Sequence, residues 1–166
     1  TYAPEPYEHM KNVDDVEADK CGNAEHSDRI LYYDKDLARG VGTKRVAFHH
    51  VVLPKGYRSS LPHAESMEEE FVYVLRGTPT AWINGRRYPL NVGDGVSFPA
   101  GTGVIHTFIN ESGEDVELAV SGERTKNDNL CAFPLNPEAR EHCGIWWDDP
   151  PKQDLGDDSP VPSFTS

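Results

Sequence analysis

The chain has 166 residues, 37% of them hydrophobic and 27% charged, and a formal net charge of −12. That length suits one domain with its own core, and no apolar run approaches the length of a membrane-spanning helix. The acidic balance repels phosphate backbones and anionic lipid, so no nucleic acid and no membrane is expected as a partner.

Residues 1–30 are polar, with eight acids against Lys11, Lys20 and Arg29, and their weak periodicity predicts an irregular N-terminal arm laid over the domain. The opening Thr1-Tyr2-Ala3-Pro4 carries neither the basic nor the apolar region of a signal peptide. Residues 31–146, nearly neutral with fifteen acids and twelve bases, are assigned to the folded domain. The texture changes at Lys44. The runs RVAFHHVVL (45–53), EFVYVL (70–75), PTAWI (79–83), GVSFP (95–99), VIHTFIN (104–110) and VELAVSG (116–122) read as short strands, rich in β-branched and aromatic residues and bounded by Gly, Pro and Asn. Both faces of EFVYVL are apolar, which predicts a strand sandwiched between layers.

In WINGRRY, Asn84-Gly85 separates two such runs, a strong hairpin signal because both residues tolerate positive φ. Further turns fall around Gly93, Gly95 and Gly101. Six or more closely spaced strands with no helical periodicity between them predict an all-β antiparallel sandwich or barrel. One short C-terminal helix is predicted in NPEAREHCG (136–144), with Asn136 as cap, Pro137 in the first turn and Gly144 as terminator. Residues 147–166, rich in Pro and Asp, are predicted to run as an extended tail.

Three cysteines, Cys21, Cys131 and Cys143, are odd in number and lack C-x-x-C spacing. That argues against a zinc knuckle and a secreted disulfide scaffold, and places the chain in a reducing cytoplasm. No nucleophile elbow, phosphate loop or dinucleotide fingerprint is present.

The chemistry gathers in PHAESMEEEF. His63 and Glu65 alternate by two, so an extended strand turns both to one face. Glu70 opens the next strand beside Val72 and Val74, and a carboxylate drawn inward there is costly unless paired, hydrogen-bonded or on a metal. Downstream, VIHTFIN puts His106, Phe108 and Asn110 on one face. Neutral imidazole with carboxylate suits Zn, Mn, Fe or Ni. The plain alternative is a solvated charge run beside a lone histidine.

Read together, GYRSSLPHAESMEEEFVYVLRG and GDGVSFPAGTGVIHTFIN resemble the two motifs of the cupin superfamily. Gly56, His63, Glu70 and Gly77 fall on the first, with one extra residue before His63. Gly93, Pro99, Gly101, His106 and Asn110 fall on the second, with two extra residues before His106. The resemblance covers about residues 44–122 and looks closest to small single-domain cupins of bacteria and fungi. It implies an antiparallel jelly-roll barrel (a double-stranded β-helix), a homodimer, a small-molecule ligand or substrate in the barrel mouth, and one divalent transition metal. Carried over, His63, Glu70 and His106 are metal ligands, and Glu65 stands where the family has its second histidine. The implied set is therefore two histidines and two carboxylates. The implied function is oxygenase, isomerase or lyase chemistry on a small polar molecule; the alternative is a binding module that holds a ligand without metal or turnover.

Lesser candidates surround this set. One of His49 and His50 should face inward, lining the pocket or serving as an alternative ligand, although a satisfied or exposed histidine is the default. Tyr73 is expected in the core. Arg58 is expected exposed, or meeting an anion at the mouth. Cys143 beside Trp146-Trp147 points to burial of the C-terminal segment or an aromatic interface.

Overall fold

A computed structural model describes residues 7–23, 27–124 and 126–155. The tetrapeptide Thr1–Pro4 and the end of the tail, 156–166, lie outside the described residues. The strands are β1 (Asp19–Asn23), β2 (Ser27–Asp36), β3 (Val46–Leu53), β4 (Ala64–Glu65), β5 (Glu70–Arg76), β6 (Thr80–Ile83), β7 (Arg86–Pro89), β8 (Gly95–Phe98), β9 (His106–Ile109), β10 (Val116–Glu123) and β11 (Cys131–Ala132).

Six of them form an antiparallel sheet in the order β1-β2-β3-β10-β5-β8, and three form a second in the order β7-β6-β9. Residues 56–63 widen the smaller sheet along β9: Gly56 N–H donates to Asn110 O at 2.9 Å, Ser59 N–H to Phe108 O at 3.0 Å, and His63 and His106 exchange bonds of 3.1 and 2.9 Å. β4 then leaves β9 and pairs with β11. Non-consecutive neighbours in both sheets give the crossovers of a jelly roll.

Strand alternation supplies the core. Val51 and Leu53 of β3, Val72 and Val74 of β5, and Val116 and Leu118 of β10 point inward and meet Ala81 of β6 and Phe108 of β9 in one cluster. Each large apolar side chain buried there contributes about 1.5–3 kcal/mol. A second cluster, Ala64, Trp82, Ile105 and Ile109 with Leu135 and Leu155 against it, lies on the other side of the smaller sheet. There the C-terminal segment covers the sheet. Gln153 Nε2 donates to Thr102 O at 2.7 Å, and Trp147 N–H to Cys131 O at 2.7 Å.

The turns obey the residues that make them. Asn84 (φ 47°) and Gly85 (φ 82°) close the β6–β7 hairpin between the pair Ile83 and Arg86. Gly77 has φ 81°, and a Cβ there would stand 2.9 Å from Val116 Cγ2, so both backbone and space demand glycine at the end of β5.

Several expectations change. The segment read as an irregular arm contains β1 and the start of β2, which extend the larger sheet through Asp34 opposite Val51. Residues 37–40 form a short helix, α1 (Leu37–Gly40), capped by Asp36 accepting Arg39 N–H at 2.8 Å. β5 is not sandwiched: Val72 and Val74 are 1% and 0% exposed, whereas Phe71, Tyr73 and Leu75 are 46%, 39% and 41% exposed. They stand on the outer face of the larger sheet, which no described element covers, so Tyr73 is not core. The predicted C-terminal helix is a 3-10 turn, Pro137–Glu141. It ends at His142 rather than Gly144, and Asn136 bonds to the Glu138 side chain at 3.1 Å rather than capping. Among the described residues no helix is long and apolar enough to cross a membrane.

Candidate functional site

Between the sheets lies a cavity of about 290 Å3. Its walls come from both layers, because the inward-facing positions of β2, β3, β5 and β10 meet those of β9 and of residues 59–63. Three groups line it: the polar set His63, Glu70 and His106, the apolar set Val51, Val72, Phe108, Leu118 and Val120, and the set Tyr32, Asp34 and His49 from β2 and β3.

Both histidines of the first set are held by the backbone. His63 Nδ1 lies 2.8 Å from Leu61 O, and His106 Nδ1 lies 3.1 Å from Val104 O. A carbonyl only accepts, so each neutral ring carries its proton on Nδ1 and turns the lone pair of Nε2 inward. The His106 ring stacks on Phe98 with centroids 3.5 Å apart and planes at 6°, and lies 4.9 Å from the His63 ring. Its Nε2 is buried without a hydrogen-bond partner, and Glu70 Oε1 approaches only to 3.7 Å. A buried acceptor left unmade costs about 1–3 kcal/mol, and a cation or a ligand N–H or O–H recovers it. The donor set therefore fits a divalent metal. Among the described residues, though, no three such side chains already converge on one metal position.

The electrostatics follow from crowding. Burial, then the neighbouring His106, pushes His63 down to about 4. Burial pushes Glu70 up, but the His106 imidazole and then His63 and His49 outweigh it and hold the carboxyl below its usual range. Glu65 goes the other way: burial, then Glu68 and Glu70, raise it to about 7.

Glu65 does not line the cavity. β4 carries it toward β11, where its Oε1 is 4.0 Å from Cys131 Sγ, and it borders a small recess that Glu70 and His106 also border. So the structure lines one cavity with His63, Glu70 and His106 and sets Glu65 outside it, in an adjoining pocket with Glu68 and Glu69.

His49 faces in and His50 faces out, as alternation requires. His49 Nδ1 is 2.8 and 2.9 Å from the two Asp34 oxygens, whereas His50 Nε2 is bonded to Glu117 at 3.0 Å on the outer face. Asp34 raises His49 above the ordinary imidazole range against the effect of burial. Tyr32 and Asp34 escape the sequence reading; the signal is the alternation Tyr32, Asp34, Asp36 within RILYYDKD. Arg58 is neither exposed nor at the mouth. It is 0% exposed, its backbone bridged to Ile30 and Ile109. Asn110, also 0% exposed, donates to Leu53 O and Glu114 O at 2.8 Å each and serves the fold. Cys143 is a partly buried free thiol, and nearby Trp146 packs on Phe133 at 5.6 Å.

A family model described as "Cupin domain" matches residues 49–122. No curated protein matches. Among solved structures, a sugar phosphate isomerase of the cupin superfamily from Silicibacter pomeroyi is 25% identical, with TM-score 0.67, over 75% of this chain and 80% of that one. A candidate sugar phosphate isomerase from Acidithiobacillus ferrooxidans is 24% identical, with TM-score 0.71, over 76% and 81%. A polyketide cyclase from Streptomyces resistomycificus is 17% identical, with TM-score 0.62, over 82% and 94%. The likenesses at 24% and 17% speak to the fold alone.

Proposed function

Because the chain belongs to the cupin superfamily, we propose that its cavity holds one divalent transition metal and acts on a small polar molecule, with isomerase-type chemistry the best supported. The carrying observation is the buried, unpartnered Nε2 of His106, in a ring whose Nδ1 is fixed by Val104 O. His63, Glu70 and His106 would hold the ion, with Glu65 next to them as a further carboxylate. A divalent ion supplies Lewis acidity: it orients substrate oxygens and stabilises developing negative charge. The protein's own part is to hold both imidazoles as Nδ1–H tautomers, to keep Glu70 ionised, and to exclude water with the apolar floor. The name of the Silicibacter structure favours isomerisation over the oxygenase and lyase alternatives.

Protein freed of metal and incubated with Zn, Mn, Fe or Ni should take up about one equivalent and melt at a higher temperature, since a ligand that binds only the native state stabilises it. Elemental analysis without bound metal, and no thermal shift with any of the four, would falsify this reading. The alternative is a binding module without turnover, favoured by the apolar floor of Val51, Val72, Phe108, Leu118 and Val120. It expects no metal uptake.

We further propose a homodimer in the cytoplasm. All three cysteines are free thiols, as a reducing compartment requires. The exposed outer face of the larger sheet, with Phe48, Phe71, Tyr73 and Leu75, supplies an apolar surface for a second copy. Light scattering should give twice the chain mass, and Phe71→Lys should halve it. A monomer at micromolar concentration excludes this interface.

A further inference from the structure

A second chemical group, Tyr32, Asp34 and His49, lines the same cavity, and the metal reading does not use it. His49 Nδ1 sits 2.8 and 2.9 Å from both oxygens of Asp34. A carboxylate accepts only, so the neutral ring donates from Nδ1 and keeps a lone pair on Nε2, the one ring nitrogen left for a ligand. The pairing is built by the sheet: Asp34 is opposite Val51 and Asp36 opposite His49 in the β2–β3 register, so both acids and the imidazole face inward together. The histidine and its aspartate line the same cavity as Glu70 and His106. That is the arrangement of a base held in place by a third group.

The charge of an adjoining pocket, which shares His49, Glu70 and Val120 with the cavity, bears on what can bind. Glu65, Glu68, Glu69 and Glu123 border it against two arginines, Arg39 and Arg124. Both arginines are engaged by Asp36, at 3.2 Å and at 2.7 Å. An anionic group meets repulsion there, so this acidic neighbourhood disfavours a phosphate ester. A cavity of about 290 Å3 suits a small molecule.

We propose that His49 is the catalytic base of this cavity, positioned by Asp34, and that its substrate is a small uncharged α-hydroxycarbonyl compound. The inference rests on the reading of the cavity as an active site. In the step, the C–H bond next to the carbonyl breaks and its electron pair becomes the C=C bond of an enediolate. The carbonyl π pair moves to oxygen, and the proton passes to Nε2 of His49. Return of a solvent-exchanged proton from Nε2 to the same carbon gives exchange. Return to the former carbonyl carbon, with the hydroxyl proton passing to the former carbonyl oxygen, gives isomerisation, and neither needs an oxidant or reductant.

Dihydroxyacetone in D2O tests this whichever product forms. Zn-loaded protein should place deuterium on carbon, read by mass spectrometry, and should do so faster for dihydroxyacetone than for its phosphate ester. His49→Gln should retain zinc uptake and lose exchange by about 100-fold or more, the usual contribution of a general base. Asp34→Asn should lose less and shift the pH–rate inflection to lower pH, because the carboxylate that raises His49 is gone. Asp36 and Arg124 also act on His49, Glu70 feels it in turn, and Tyr32 lines the same cavity; all four are unchanged in that variant. An independent readout is the imidazole proton resonance of His49 in metal-free protein, whose titration should move down in Asp34→Asn. Zinc uptake without exchange, equal exchange in His49→Gln, a faster phosphate ester, or a His49 titration that ignores Asp34 overturns the inference while leaving the metal reading intact. Exchange that needs His49 but no metal sinks the metal reading alone.

Discussion

His106→Ala is expected to abolish metal uptake while leaving a folded, cooperatively unfolding protein. Loss of a partner that merely orients a ligand already costs 10- to 100-fold in metal affinity, so loss of the ligand itself should cost on the order of 100-fold or more. The stability effect is smaller and has two opposed parts. The ring is 4% exposed and stacked on Phe98 at 3.5 Å, so truncation opens a hole in the wall. The same truncation removes the orphaned Nε2, whose burial is unfavourable. A net loss of about 1–2 kcal/mol follows, a fall in Tm of roughly 2–8 °C for a chain of this size. Calorimetric titration with Zn and thermal unfolding by circular dichroism separate the two. Uptake equal to the parent protein would remove His106 from the site. Should His106→Ala fail to fold, His63→Ala asks the same question at a less enclosed position, with loss of uptake again expected.

How much of this could be read in the sequence differs from strand to strand. β3, β5, β6, β9 and β10 announced themselves because they are short runs rich in β-branched and aromatic residues, and in β5 and β10 one face buries Val or Leu at alternate positions. β1 and β2 did not. Their inner face carries Tyr32, Asp34 and Asp36, and carboxylates inside a barrel break the alternation that marks a strand. Only the register with β3 shows that these acids look inward at His49. The same cause hid the cavity's second polar group: a functional face is the one place where hydrophobic patterning fails.

The first polar set was half legible. Spacing placed Glu70 inside because it continues the Val72, Val74 face, and placed His106 there because it continues the Phe108 face. What spacing could not carry is Glu65. A two-residue step puts it on the face of His63 only while the strand stays straight, and β4 turns away to pair with β11 one residue after His63. Arg58 escaped for another reason. Nothing local marks a buried arginine, since its burial depends on a segment paired with β9 on one side and bridged to β2 on the other.

Glu65 then decides what the exchange of ligand type means. Its carboxyl is raised to about 7 from 4.5, first by burial and then by Glu68 and Glu70. A folded-state value above the unfolded one means that the native protein holds the proton more tightly. Stability from this group is therefore intact below about pH 4.5 and is lost as the pH rises through 7, where the ionised form is penalised. Glu65→Gln should be nearly neutral at pH 5 and stabilising at pH 8. A tenfold change in proton affinity corresponds to about 1.4 kcal/mol, and screening at this partly open position reduces the sum to on the order of 1–2 kcal/mol. That corresponds to a Tm higher by roughly 2–8 °C at pH 8. An equal effect at both pH values would show that Glu65 is not held protonated by its neighbours. Glu65→His asks whether the recess belongs to the metal. If Glu65 reaches the ion, an imidazole in its place keeps a donor and offers Zn or Ni a ligand of the type they favour, so their uptake should tighten. If Glu65 belongs only to the adjoining pocket, the histidine adds nothing to metal affinity while the pH 8 stabilisation persists. A gain in both readouts assigns the recess and the cavity to one site; a gain in stability alone divides them.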